Sequence, residues 1–265
     1  MKAVWNISLA AMSLAMMSSL PLSAADATAP QTGQHAATFE KQVSMKLDYL
    51  LSLPPTYNDS TDKKWPLILF LHGSGERGSD VNKVKAHGPP KIIDHDANSD
   101  VATQFIVVSP QCPEGRWWKS DELEALLDDV QARYRVDADR VYLTGLSMGG
   151  FGSWDLAASA PKRFAAVAPM CGGGRVEMAR RLKNLPIWVF HGQADPTVPV
   201  QRSEEMVAAL KKLNADIQFT CYPGVGHDCW TRSYDNAELY KWFLSHKRGE
   251  KPAGAAATPK ESDKK

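Results

Sequence analysis

Short apolar runs alternate with amphipathic segments along most of this chain of 265 residues. The apolar runs are short and continuous, which is typical of strands that are buried on both faces of a sheet. They lie at residues 66–71, 104–109, 141–144, 164–169, 187–190 and 217–222. The segments between them carry apolar residues at helical spacing. The predicted helices lie at residues 121–135, 148–158, 175–183, 200–213 and 237–246.

Strands that alternate with helices predict right-handed crossovers and a mostly parallel sheet with helices on both faces. Residues 39–53 differ, because their apolar positions partly alternate and two prolines follow them. This pattern predicts two antiparallel edge strands joined by a turn. One large α/β domain over residues 39–247 accounts for all of these elements.

The two ends of the chain have a different composition. Residues 1–25 contain an early lysine, an apolar run and then small residues, as a secretory signal peptide does. The alternative, an N-terminal membrane anchor, would require a longer apolar run. Residues 26–38 are polar and residues 248–265 are rich in Lys, Ala, Pro and Glu, so we expect a flexible leader and a disordered tail. We therefore expect a periplasmic or secreted protein.

Charges of both signs are spread along the chain, and the formal net charge is +1. This balance argues against nucleic-acid binding and against a membrane-surface role, and we expect no stable membrane insertion. The four cysteines form no C-x-x-C pair and do not alternate with histidine at zinc spacing, so we expect no metal site.

Residues 141–152 carry the strongest chemical signal. The sequence V-Y-L-T-G-L-S-M-G-G-F-G places G-x-S-x-G between a predicted strand and a predicted helix. This context is typical of a nucleophile elbow, in which a sharp turn presents a serine and glycines make room for nearby backbone. Ser147 is the candidate nucleophile. The alternative without a catalytic role is a glycine-rich turn that carries a surface serine.

A serine hydroxyl needs a base within hydrogen-bond distance, and the base needs an orienting partner. His227 follows the last predicted strand and is the candidate base, and Asp195 follows the strand before it and is the candidate acid. Because the carboxyl ends of parallel strands share one edge of a sheet, we expect the three side chains to converge there. Asp228 is an alternative acid, although its place beside His227 is poor for holding the imidazole. His72 and His191 are interpreted as structural residues.

An ester carbonyl also needs two N–H donors for its developing negative charge. Met148, which follows the nucleophile, is expected to supply one backbone N–H. The loop after the strand at residues 66–71 is expected to supply the other from Ser74, with Gly75 as the alternative. Glu76 and Arg77 either contact substrate or, as we favour, form a pair that holds this loop in shape.

Several motifs together resemble the α/β-hydrolase superfamily. They are H-G-S-G-E-R-G, S-P-Q-C-P, G-L-S-M-G-G-F-G, P-M-C-G-G-G, W-V-F-H-G-Q-A-D and G-V-G-H-D, spread over residues 39–247. In particular, the chain resembles bacterial serine esterases of the dienelactone-hydrolase-like and polyhydroxybutyrate-depolymerase-like groups. The resemblance implies an α/β-hydrolase fold without a lid domain, a serine carboxylesterase with a Ser147–Asp195–His227 triad, and no cofactor.

Two features qualify this resemblance. A true dienelactone hydrolase has a cysteine nucleophile, so the serine here favours ordinary carboxylic esters, either as small molecules or attached to polymers. Prolyl-peptidase-like serine peptidases share the architecture, and an inactive binding protein on the same fold is a further alternative. We expect no gating domain of the kind that such peptidases usually carry.

The residues around the predicted site give weaker hints about substrate. Only residues 170–186 separate two of the strands, which is too short for a helical lid, so we expect an open site. Trp117, Trp118 and Trp230 lie on loops at the active edge and either form a platform for sugar or aryl groups or pack into the protein.

Two of the four cysteines depart from the pattern of the family that the chain resembles. Cys221 and Cys229 stand where other residues are usual, which suggests a disulfide that clamps the loop of His227. Cys112 and Cys171 are expected to pack as small apolar residues.

Overall fold

The computed structural model of the protein describes residues 44–250, which form a seven-stranded sheet with helices on both faces. The strands run in the order β1-β3-β2-β4-β5-β6-β7 across the sheet. Their bounds are β1 Tyr49–Ser52, β2 Trp65–Leu71, β3 Ile106–Pro110, β4 Val136–Leu146, β5 Ala166–Met170, β6 Ile187–Gly192 and β7 Ile217–Tyr222. β1 pairs antiparallel with β3, and all of the other pairs are parallel. The predicted mostly parallel sheet is confirmed.

Eight helices connect or flank the strands in the described residues. They are α1 Gly88–His95, α2 Asp100–Gln104, α3 Ser120–Arg133, α4 Met148–Ser159, α5 Ala179–Leu182, α6 Gln201–Lys212, α7 Trp230–Tyr234 and α8 Ala237–Leu244. Helices α3 to α6 bury residues against one face of the sheet, and α2, α7 and α8 bury residues against the other face.

The pleat of β2 shows why its whole sequence is apolar. Leu67, Leu69 and Leu71 belong to the core cluster on the face of α3 to α6, whereas Ile68 and Phe70 belong to the cluster on the opposite face. Successive side chains of a strand point to opposite faces, so a central strand that is covered on both sides needs apolar residues at every position.

The differences from the predicted elements lie mainly outside the central sheet. β4 begins at Val136, five residues before the apolar run, because its first half is a more exposed strand extension. Helix α1 was not predicted. Pro89 and Pro90 occupy its first turn, where no intrahelical N–H is required. Of the two predicted edge strands, the described residues contain β1, and residues 39–43 lie outside the described part.

The proposed signal peptide and leader also lie outside the described residues, as do residues 251–265 of the predicted tail. Arg248, which we placed at the start of that tail, donates to the carboxylate of Asp139, so the packed domain continues at least to this residue. Among residues 44–250, no helix has the length and hydropathy needed to cross a membrane.

His72 fixes the loop that follows β2, and its side chain is fully buried. Its Nδ1 lies 2.6 Å from the carbonyl oxygen of Gly73, which can only accept, so Nδ1 carries the proton. Nε2 then accepts from the backbone N–H of Cys112 at 2.9 Å. Burial lowers the pKa of His72 to about 4, so the imidazole is neutral at neutral pH and serves as a structural link between two loops.

This buried imidazole predicts a pH dependence of stability. Because the pKa of His72 falls from 6.5 in the unfolded chain to about 4 in the folded protein, the unfolded state binds more protons between these values. The free energy of unfolding should therefore decrease as the pH falls through this window. We expect His72 to account for a loss of about 2 kcal/mol between about pH 7 and about pH 5, measured by urea unfolding.

The control is His72→Gln, which removes the titrating group while it keeps a side chain that can donate and accept. This variant should be less stable at neutral pH but should lose less stability on acidification. His191 contributes in the same direction in both proteins, because burial also lowers its pKa. An equally steep loss in wild type and variant would contradict the assignment to His72.

Candidate active site

Ser147, Asp195 and His227 meet at the carboxyl edge of the sheet, although they are far apart in sequence. Each side chain follows the end of a parallel strand, namely β4, β6 and β7 respectively. His227 Nε2 lies 2.9 Å from Ser147 Oγ, and His227 Nδ1 lies 2.7 Å from Asp195 Oδ2. The imidazole therefore connects the hydroxyl to the carboxylate, which is the geometry required of a nucleophile, a base and an orienting acid.

A tight backbone crossing holds Ser147 in place. Its φ is 52° and its ψ is −117°, a conformation that costs energy for a residue with a side chain. A Cβ added to Gly149 would lie 1.9 Å from the carbonyl oxygen of Leu71, and one added to Gly145 would lie 2.4 Å from that of Gly149. Only glycine allows this approach of β2, β4 and the first turn of α4, so the elbow presents the serine at a fixed point.

The carboxylate of Asp195 is held by several donors. Its Oδ1 accepts from the backbone N–H groups of Thr197 at 2.8 Å and Val198 at 2.9 Å, while Oδ2 accepts from His227. Burial would raise the pKa of Asp195, but these hydrogen bonds outweigh it and the pKa lies below its ordinary value. The acid is therefore an ionised carboxylate that can orient the imidazole and stabilise its protonated form.

His191 contacts the same carboxylate, which the sequence interpretation did not foresee. Its Nε2 lies 2.9 Å from the carbonyl oxygen of Val198 and 3.3 Å from Asp195 Oδ2, so this nitrogen carries a proton that faces both oxygens. Burial lowers the pKa of His191, so its ring is a neutral donor. The sequence H-G-Q-A-D was the available signal of this contact, because it places His191 four residues before Asp195.

Two loops that could supply backbone donors lie beside Ser147. Met148 is the first residue of α4 and Ser74 begins a 3-10 turn over Ser74–Glu76, and the first N–H groups of a helix or turn have no acceptor within it. A Cβ built on Gly73 would lie 3.7 Å from the Cβ of Ser147, so the two loops are adjacent. The two expected donors, Met148 and Ser74, therefore lie on neighbouring segments beside Ser147.

Glu76 and Arg77 hold the loop separately rather than as the pair that we expected. Arg77 donates from Nε to the carbonyl oxygen of Ser74 at 3.1 Å and from a second nitrogen to that of Arg116 at 3.2 Å. The buried Glu76 side chain lies between two imidazoles instead, with Oε1 at 3.7 Å from His87 Nε2. The chain reversal after β2 turns the two neighbouring side chains toward different partners.

The two adjacent tryptophans occupy different environments. Trp117 is 60% exposed and meets the ring of Phe151 edge to face, with 6.2 Å between centroids. Trp118 instead packs against the His72 ring at 4.8 Å and donates from Nε1 to the His72 carbonyl oxygen. Trp117 is therefore an exposed ring that packs on the half-buried Phe151, which lies one helical turn after Ser147, whereas Trp118 supports the loop.

Trp230 and Asp228 flank the imidazole of His227. The Trp230 ring meets His227 edge to face at 5.1 Å and His87 at 5.4 Å, so this half-buried tryptophan forms a wall beside the base. Asp228 accepts from the backbone N–H and the hydroxyl of Thr231, both at 3.1 Å. Asp228 thus binds the first turn of α7, and its hydrogen bonds go to Thr231 rather than to the imidazole that it was considered to orient.

The expected Cys221–Cys229 disulfide is not found, since all four cysteines are free thiols within residues 44–250. The pleat of β7 explains the error. Phe219 packs with the core on the α6 side, and Cys221, two residues later, points the same way and lies near Glu204 of α6. Cys229 is buried in the core on the other face.

One group of possible metal ligands exists in the described residues, and it overlaps the triad. Ligand atoms of Cys171, Asp195 and His227 lie within 4.8 Å of one another. Burial raises the pKa of the Cys171 thiol well above its ordinary value, and a protonated thiol is a poor metal ligand. His227 Nδ1 is already bonded to Asp195, so this group is better suited to proton transfer than to metal binding.

Comparison with known proteins agrees with this geometry. Residues 98–245 match the dienelactone hydrolase family, and this range contains all three residues of the Ser–Asp–His group. A probable feruloyl esterase C of Aspergillus terreus is 28% identical over 63% of this chain and 62% of its own length. A bifunctional acetylxylan esterase/xylanase of Neocallimastix patriciarum is 27% identical over 67% of this chain and 26% of its own length. The chain therefore spans less than two thirds of the length of each of these relatives.

Solved structures show the same fold. A thermostable esterase superposes with a TM-score of 0.71 at 33% identity and covers 78% of this chain and 60% of its own. An acylaminoacyl peptidase of Pyrococcus horikoshii superposes with a TM-score of 0.59 at 14% identity over 80% of this chain and 41% of its own, which indicates the fold alone. The resemblance to α/β-hydrolase esterases is confirmed. Because the family match covers more than half of the sequence, the protein belongs to the dienelactone hydrolase family.

Proposed function

We propose that this protein is a serine esterase that hydrolyses carboxylic esters through an acyl-enzyme at Ser147. The observation that carries the proposal is the continuous hydrogen-bond chain from Ser147 Oγ through His227 to Asp195. The serine hydroxyl of such a chain can lose its proton as it attacks a carbonyl carbon, which makes it a nucleophile at neutral pH. Esterases among the relatives and structural neighbours support the same activity.

In the first half of the reaction, Ser147 Oγ bonds to the carbonyl carbon while its proton moves to His227 Nε2. The negative charge on the former carbonyl oxygen is stabilised by the backbone N–H groups of Met148 and Ser74. His227 then gives the proton to the leaving alcohol oxygen as the C–O bond breaks. Asp195 keeps the imidazole in the tautomer that has Nε2 free to accept, and it stabilises the imidazolium between the two proton transfers.

In the second half, water takes the place of the alcohol. His227 Nε2 removes a proton from water as its oxygen attacks the acyl carbon, and the proton returns to Ser147 Oγ as the acid leaves. Each proton moves between oxygen atoms and one imidazole nitrogen, so the cycle needs no cofactor. Because His227 retains 20% exposure at its side chain, water and the leaving alcohol can reach it.

The substrate class follows from the surface beside Ser147. Trp117 meets the half-buried Phe151 edge to face, and the exposed Trp117 ring suits an aryl group or the apolar face of a sugar. The relatives named above act as a feruloyl esterase and an acetylxylan esterase by name. We therefore propose short-chain, aryl-linked or carbohydrate-linked esters, free or attached to a polymer, with Trp117 as a binding residue and Trp230 as a wall of the cleft.

The location and layout of the chain are part of the proposal. The composition of residues 1–25 supports export to the periplasm or outside the cell, and residues 39–247 would then form the catalytic domain. An exported enzyme with an open site would encounter esters of extracellular polymers.

The nucleophile can be tested by covalent labelling. A fluorophosphonate probe should add to Ser147, and mass spectrometry of the digested protein should place the adduct on the peptide that contains it. Ser147→Ala should lose on the order of 10⁴-fold or more in kcat and should not react with the probe. Circular dichroism provides the folding control. Labelling at another serine, or an active alanine variant, would refute the mechanism.

The orienting acid can be tested with two neighbouring aspartates. Asp195→Asn should lower kcat by a factor on the order of 10³ to 10⁴, because the amide lacks the charge and can favour the wrong tautomer of His227. Asp228→Asn is the matched control, since Asp228 caps α7 and should leave kcat nearly unchanged. If Asp228→Asn is the inactive variant and Asp195→Asn is not, the acid has been misassigned.

The aromatic pair can be tested by substrate comparison. Trp117→Ala should raise KM for methyl ferulate by roughly 2- to 10-fold, the effect of one lost aromatic contact. The same variant should hydrolyse ethyl acetate, which has no ring, at the wild-type kcat/KM. Trp117→Phe should restore much of the affinity for the aromatic ester. An equal loss on both esters would show that Trp117 supports the fold rather than the substrate.

A further inference from the structure

Two buried cysteines meet directly behind the triad. Cys171 follows β5 and Cys229 follows His227 by two residues, and neither side chain has solvent exposure. The two thiols interact with each other in the core cluster on the face of α7 and α8. The sulfur of Cys171 also lies within 4.8 Å of ligand atoms of Asp195 and His227.

The loop of His227, residues 223–229, is joined to this pair through its own backbone. The N–H of Cys229 donates to the carbonyl oxygen of His227 at 2.8 Å, so the position of Cys229 is tied to that of the base. On the other side, Cys171 is anchored to the sheet, because its N–H donates to the carbonyl oxygen of Phe190 at 2.8 Å. The thiol pair therefore spans from the rigid sheet to the loop that carries the base.

The other two cysteines lie outside this core cluster. Cys221 points to the opposite face of the sheet, toward α6. Cys112 lies at the far side of the site, where its N–H donates to His72 and its carbonyl oxygen accepts from Gly78 at 3.0 Å. Among the four cysteines of the described residues, Cys171 and Cys229 are the two that are fully buried in one and the same core cluster.

We propose that Cys171 and Cys229 are a disulfide-forming site that ties the loop of His227 to the end of β5. The oxidant is a small or protein disulfide, RSSR. One protein thiolate attacks RSSR and releases RSH, and the second thiol then displaces the other RSH as the Cys171–Cys229 bond forms. Two thiols are oxidised and one disulfide is reduced, and the two protons leave on the two RSH molecules.

The environment of the pair sets when this exchange can occur. Burial, and then the neighbouring Cys229, raise the pKa of the Cys171 thiol well above its ordinary value, so the folded, reduced protein offers little thiolate. The bond should therefore form while the chain folds in an oxidising medium, and the folded, reduced protein should oxidise slowly. Once formed, the bond is shielded from reductants by the same burial.

The cross-link would stabilise the site by restricting the unfolded chain and by limiting excursions of the histidine loop. That the tethered histidine is the base rests on the proposed function, but formation of the bond does not. Detection of the bond and measurement of esterase activity therefore test separate claims.

The experiment refolds the chain in parallel with glutathione disulfide and with excess reducing agent. After oxidative refolding, titration in denaturant should find two free thiols in place of four, and non-reducing peptide mapping should find the Cys171 peptide linked to the Cys229 peptide. Cys229→Ser should abolish the link, and Cys221→Ser, the matched control, should retain it. Four free thiols, or a link that includes Cys221 or Cys112, would overturn the proposal.

Thermal unfolding provides a second measurement on the same samples. The oxidised wild type should melt on the order of 5 °C or more above the reduced wild type. Oxidised and reduced Cys229→Ser should melt at the same temperature. If the link forms but esterase activity is absent in both wild-type samples, the cross-link stands and the proposed function fails.

Discussion

The backbone crossing at Gly149 is the constraint on which the site depends. The first turn of α4 passes so close to the end of β2 that a single Cβ would lie 1.9 Å from the Leu71 carbonyl oxygen. This crossing fixes the direction of α4, the strained backbone of Ser147 and the position of the loop after β2 at the same time. A methyl group there would have to separate elements that belong to the centre of the sheet, where β2 and β4 pair in parallel.

The groups around the triad differ in charge: the carboxylate of Asp195 is ionised, whereas the imidazoles of His72 and His191 are neutral. Asp195 remains ionised because backbone N–H groups and two imidazoles surround its oxygens. His72 and His191 are buried and neutral, so they orient loops without adding positive charge beside the base. The imidazole of His227 therefore faces an ionised carboxylate on its Nδ1 side.

The sequence was sufficient to predict the sheet and the convergence of Ser147, Asp195 and His227, because both follow from local patterns and from the edge shared by parallel strands. Contacts between distant segments could not be predicted in this way. The contact of His191 with Asp195 needed the turn after β6, which brings Asp195 back beside the end of that strand. The Cys221–Cys229 prediction failed because sequence proximity ignored the pleat of β7, which separates them onto opposite faces of the sheet. Trp117 and Trp118 differ in exposure and in the residues they contact, and their adjacent places in the sequence do not reveal either difference.

The central claim is that ester hydrolysis passes through a covalent acyl-enzyme, and the partitioning of that intermediate tests it most directly. Phenyl, p-nitrophenyl and ethyl esters of one acid would be hydrolysed in the presence of methanol, and the ratio of methyl ester to free acid would be measured for each. A common acyl-enzyme at Ser147 has lost the leaving group before methanol and water compete, so the ratio should be the same for all three esters. A ratio that changes with the leaving group would mean that water and methanol attack the ester itself, and it would contradict the account.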